Sequence, residues 1–78
     1  MTYFNSASSP QWYDGVNKIS YAFKSNGGTL KLFAQVGSSE VEIIDAQANA
    51  DAFRLFDGRG ATIRFVVTGA AELSVFGL

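Results

Sequence analysis

Over residues 53–78 the apolar side chains recur at every second position: Phe53 and Leu55, then Ile63, Phe65 and Val67, then Leu73 and Val75. That is the period of an extended strand with one buried face. Between the runs stand Asp57-Gly58-Arg59-Gly60 and Gly69-Ala70, residues suited to tight turns. Three short strands joined by minimal connections leave little room for catalytic loops. The stretch therefore points to a structural or binding role.

The earlier part of the chain reads the same way. Residues 16–24 alternate, with Ile19, Tyr21 and Phe23 on one face and Ser20, Ala22 and Lys24 on the other. Asn26-Gly27-Gly28 follows, and Asn-Gly readily takes the positive φ angles of a hairpin turn. Residues 29–36 should then return antiparallel with Leu30, Leu32, Ala34 and Val36 inward. After Gly37-Ser38-Ser39, residues 40–45 place Val41 and Ile43 inward and Glu40 and Glu42 outward, which predicts a second hairpin. Residues 1–5 suit a short strand or arm, residues 6–10 a loop closed by the only proline, and residues 1–15 together a possible arm or loop segment. Residues 45–52 alternate polar groups with alanine. An extended segment would put Asp45, Gln47, Asn49 and Asp51 on one side, whereas the alanine content and a capping Asp45 would suit a short helix.

The fold expected from these strands is all-β: a small antiparallel β-sandwich or jelly-roll-like barrel of about six or seven short strands, in one domain spanning 1–78. At 78 residues a single core supplies only roughly 3–5 kcal/mol of net stability. With no Cys and no His, disulfides and soft-ligand metal sites are unavailable as support, which leaves oligomerisation. Phe33, Ile44, Phe56, Val66 and Phe76 point away from their strands' expected core sets, and burying one such side chain is worth roughly 1.5–3 kcal/mol. A subunit interface would cover them; strong twisting or bulging of the strands would bury them in part within one chain.

The chemistry is defined mostly by what is missing. Without His or Cys there is no hydrolytic triad, thiol nucleophile or zinc site of the usual kind. Glu40 and Glu42, two apart on one strand, share a solvent face instead of straddling a cleft as a glycosidase pair must. Asp45, Gln47 and Asn49 match the first three ligand positions of an EF-hand loop, but Ala50 stands where glycine is needed and Phe56 where a bidentate Glu is needed. Gly58-Arg59-Gly60 is too short for a phosphate cradle. Arg54 and Arg64 suit outward positions, with Glu72 available to pair with one of them. No cofactor and no enzymatic activity are expected.

Six scattered Lys and Arg and a net charge of −1 give no basis for nucleic-acid binding. The N-terminus lacks the basic start and apolar stretch of a signal peptide, and no run is long enough for a membrane span, so synthesis in the cytoplasm is expected, with the final location left open. Tyr3, Phe4, Trp12 and Tyr13 are the aromatic residues near the start. With Gln11 and Asp14, Trp12 and Tyr13 hold the ingredients of a sugar-stacking platform, and the same residue types suit a subunit interface.

Two runs carry a family likeness: Gly27-Gly28-Thr29-Leu30-Lys31-Leu32-Phe33-Ala34-Gln35-Val36-Gly37 and Gly60-Ala61-Thr62-Ile63-Arg64-Phe65-Val66-Val67-Thr68-Gly69-Ala70-Ala71-Glu72-Leu73-Ser74-Val75. The Gly-led strand, the short acidic stretch, the Arg-centred strand ending in Thr-Gly and the final apolar strand resemble small β-sandwich virion proteins of tailed bacteriophages. The likeness covers residues 27–76 and names no functional residue. It implies a non-enzymatic virion component, a capsid decoration (cement) subunit or a head or tail subunit. Such a component would be a symmetric homo-oligomer, a trimer being the favoured form, docked on the major capsid protein or another virion protein. The rival expectation from the residues is a small carbohydrate-binding module using Trp12 and Tyr13, and a tail or adaptor subunit is a further one. Outward apolar side chains would bury against sister subunits, and an N-terminal arm or edge strand would dock on the particle.

Overall fold

The computed structural model describes residues 2–7 and 11–78. Six strands follow in chain order: β1 (Thr2–Asn5), β2 (Gln11–Lys24), β3 (Leu30–Val36), β4 (Ser39–Glu42), β5 (Ala52–Val67) and β6 (Glu72–Phe76), with one 3-10 turn, Ile44–Ala46, between β4 and β5. All pairings are antiparallel, in the order β1-β6-β2-β5-β3-β4. The expectation of a sandwich or closed barrel is thereby corrected. A sandwich needs two separately hydrogen-bonded sheets and a barrel needs its end strands paired, whereas this is a single open sheet whose end strands, β1 and β4, do not pair with each other.

The reason lies in the two long strands. Asp57-Gly58-Arg59-Gly60, expected to be a turn between two strands, lies inside one continuous strand of 16 residues, and β2 runs for 14. Their shared ladder is interrupted but never broken. Asp14 and Gly15 of β2 oppose Thr62 alone, and residues 58–60 of β5 oppose Asn17 alone, because Tyr13 pairs with Ile63, Val16 with Ala61 and Lys18 with Asp57. These are β-bulges, which bend and twist a strand without ending it. Gly15 (φ 62), Arg59 (φ 54) and Gly60 (φ 81) supply the positive φ angles that the extra residues need.

Each bulge also moves the alternation onto the other face, as a one-residue slip does. Ile63, Phe65 and Val67 point into the core, but Phe53 and Leu55, expected to share their face, are exposed, and Phe56, expected outward, pairs with Ile19 and packs against the core. The buried set is Phe4, Val16, Ile19, Tyr21, Phe23, Leu30, Leu32, Ile63, Phe65, Val67, Leu73 and Val75, with Ala46 and Ala71. Bending of β2 and β5 brings distant strands together on this face: the Phe4 ring of β1 lies 5.5 Å from Phe65 of β5 and 5.6 Å from Tyr13 of β2.

The expected hairpin between residues 16–24 and 29–36 is also corrected. Asn26 (φ 46) and Gly27 (φ 85) do turn the chain, but β3 pairs with β5 and β4, and β2 pairs with β5 and β6. The turn is the start of a connection that skips one strand. Residues 68–71, from β5 to β6, do the same. The two connections lie side by side: Thr68 N–H donates to Thr29 O (3.0 Å), Thr29 N–H donates to Thr68 Oγ1 (3.0 Å), and Asn26 Nδ2 donates to Ala70 O (3.2 Å). Gly28 is packed so closely there that a Cβ on it would collide with the Thr68 carbonyl oxygen. The second expected hairpin forms, as β3 and β4 pair around residues 37–38, with Ile43 partly buried but Val36 and Val41 exposed.

Residues 45–52 resolve the two readings left open for them as a mixture. After the single 3-10 turn, Gln47 is extended and Ala48 bridges to Leu30. Tyr21 Oη, buried, donates to Ala46 O at 2.7 Å, and the buried Ser25 hydroxyl lies within donating distance of both Gly28 O (3.0 Å) and Asn49 O (3.1 Å). Residues 1–5, expected as a strand or arm, form β1 over its described part. In the expected loop 6–10, Ser6 and Ala7 form a turn, and residues 8–10 lie outside the described residues.

Candidate functional site

The sheet buries one face and leaves the other as exterior, and the bulges divide that exterior into two areas. The first lies over β2, β5, β3 and β4, where Trp12 pairs with Arg64, Arg64 with Phe33, and Phe33 with Glu42. The Arg64 guanidinium carbon sits 5.4 Å from the Trp12 ring centre and 4.8 Å from that of Phe33. A flat, weakly hydrated cation between two aromatic faces is favourable on both sides. Glu40 closes the arrangement by accepting from Arg64 Nη2 at 2.8 Å. The expected pairing of Glu72 with Arg54 or Arg64 is corrected: Arg64 pairs with Glu40, Arg54 donates to Gln47 O, and Glu72 accepts from Tyr3. The Nε of Arg64 is buried with no hydrogen-bond partner among the described residues, which costs stability. Thr62 donates to Asp14 Oδ1 at 3.0 Å beside this row.

The second area lies over β1, β6, β2 and the first half of β5. Tyr3 pairs with Ser74, Ser74 with Ala22, and Ala22 with Phe53, so one row across four strands reads aromatic, small, small, aromatic. The next row places Phe76 and Leu55 on either side of Ser20. Phe53 is 72% exposed, Leu55 86%, Tyr3 47% and Phe76 39%. The Phe53 and Phe76 rings stack on each other with centres 6.4 Å apart and planes 13° apart. Between Tyr3 and Phe53 runs a groove of about 580 Å³ whose floor includes Ala22 and Ser74. Leu55 and Phe53 point to this exterior because of the bulge, and β3 joins β5 only over residues 63–67, so this half of β5 also has no strand on its outer side among the described residues.

Charged groups rim the groove. Lys24 Nζ donates to Asp51 Oδ2 at 2.8 Å, which raises the Lys24 pKa above its ordinary 10.5. The same bond, followed by the Ser25 N–H donating to Asp51 Oδ1, lowers the Asp51 pKa. Tyr3 Oη donates to Glu72 Oε1 at 2.7 Å, and that hydrogen bond raises the phenol pKa.

The expected interface residues are scattered by this geometry. Tyr3 and Phe76 lie on the second area, and Trp12 and Phe33 on the first. Val66, partly buried, pairs with Lys31 near Phe33, and Ile44 is exposed on the 3-10 turn. Phe4 is in the core at 1% exposure, and Tyr13 and Phe56 pack against the core, so these three offer little surface. Trp12 and Tyr13, adjacent on β2, occupy opposite faces and do not make one platform. The residues missed were Phe53 and Leu55. The signal for them was the pair of glycines in Asp57-Gly58-Arg59-Gly60, which marks a bulge as readily as a turn.

Glu40 is committed to Arg64, and Gln47 Nε2 donates to Glu42 at 3.2 Å. Among the described residues no three His, Cys, Asp or Glu gather as a metal site, and no helix is long and apolar enough to cross a membrane. No protein-family model matches the chain, nor does any curated protein or solved structure.

Proposed function

We propose that this chain is a non-enzymatic structural subunit that works by self-association and docking, a virion component of the capsid-decoration kind. The observation that carries the reading is the second exterior area: four large apolar side chains, two of them more than two-thirds exposed, on one face of the sheet. Contiguous apolar surface of this kind marks interaction sites. The virion setting rests on the resemblance of residues 27–76 to small β-sandwich virion proteins of tailed phages, a likeness of strand and turn pattern alone since the sandwich itself is not formed, and major capsid protein or another virion protein is the docking partner that it implies. Repeated weak contacts of a small subunit on a lattice add up to strong attachment through high effective concentration.

Mass spectrometry of purified particles from the source of this sequence tests the setting. The proposal expects the chain in many copies per particle. Its absence from particles, with the protein present in the same cells, would remove the virion role.

A further inference from the structure

Resting on the assembly reading, we propose that the exterior area formed by β1, β6, β2 and the first half of β5 is a two-fold interface with a second copy of this chain. Three observations converge on a sister subunit as the occupant. First, ridge and trough stand on the same face. The stacked Phe53 and Phe76 with Leu55 form the ridge, and Ala22 and Ser74, between Phe53 and Tyr3, form the trough. A two-fold contact requires one patch to be complementary to itself, and a ridge beside a trough meets that requirement when each copy's ridge seats in the other's trough.

Second, the area is of the right size. With roughly 200 Å² for each large side chain, the exposed fractions of Tyr3, Phe53, Leu55 and Phe76 leave about 490 Å² of largely apolar surface in water. A stable interface covers about 800 Å² on each partner, with an apolar centre and a polar rim. The four side chains supply that centre, and Ser20, Lys24, Asp51 and Glu72 border it.

Third, the charges permit two identical faces to meet. Lys24 and Asp51 neutralise each other in their ion pair, and Glu72, which keeps its charge while accepting from Tyr3 Oη, stands exposed on the rim, so the centre itself sets no like charge against its own copy.

Sedimentation velocity on the full chain tests this with two variants. Phe53→Lys/Leu55→Lys places charge on the ridge at exposed positions where the fold does not depend on the side chain, and circular dichroism checks that the strands persist. Val36→Lys, on the far strand β3 at another exposed apolar position, is the control. Self-association at least ten-fold weaker in the double variant, with the control like the wild type, is the expected result. A double variant that associates as the wild type does would overturn this interface while leaving the assembly reading intact. A wild type that is monomeric at all concentrations would overturn both the interface and self-association, and the particle assay would still decide the virion role.

Discussion

Single side chains here do two kinds of work, and both can be tested by substitution. Arg64 is held between Trp12 and Phe33 and tied to Glu40, so Arg64→Lys would keep the charge but lose the planar stacking. A loss of about 1 kcal/mol in denaturant stability and a shifted Trp12 emission are expected. Tyr21→Phe would leave the buried carbonyl of Ala46 without its donor and is expected to cost about 1–2 kcal/mol in the same measurement. The Lys24–Asp51 pair gives a pH dependence of definite sign. Asp51 has a lowered folded pKa, so its contribution is present above the ordinary carboxylate value of 3.8 and is lost as pH falls through the lower folded value. Lys24 has a raised folded pKa, so its contribution is present below 10.5 and is lost as pH rises through the higher folded value. Thermal melts across pH should show the acid-side part reduced in Asp51→Asn. None of these partnerships was legible in the sequence, because Arg64 and Glu40 are 24 residues apart and meet only through the β5-β3-β4 pairing.

At the scale of elements, strand content was legible and strand connection was not. The alternation of Ile19, Tyr21 and Phe23, or of Leu73 and Val75, reports a buried face wherever it stays in phase. A bulge changes the phase without changing the composition, which is why Phe53, Leu55 and Phe56 were read on the wrong faces. Asn26-Gly27 reports a turn, but which strand lies beside the one after it is set by long-range packing of the core. Glycine substitutions separate these roles. Gly28→Ala would drive a Cβ into the Thr68 carbonyl where the two strand-skipping connections touch, and a loss of more than 3 kcal/mol or failure to fold is expected. Gly15→Ala meets open space and only the penalty of its positive φ, so about 1–2 kcal/mol is expected. Urea unfolding of the two variants should rank them in that order.

At the scale of the whole molecule, one open sheet encloses its core on one side and leaves an aromatic face on the other. The small size, the absence of Cys and the surplus of large apolar side chains are the sequence features from which a partner is expected. Its location was not legible there, since the exposed ridge is built by residues whose facing depends on the bulge. The proposed non-enzymatic subunit, assembling through this face, ties the two halves of the account together. Light scattering behind size exclusion, on the wild-type chain over a dilution series, tests that claim most directly. The account predicts a discrete oligomer that dissociates toward the monomer mass only at low concentration. A constant mass of about 8.4 kDa at every concentration would contradict it.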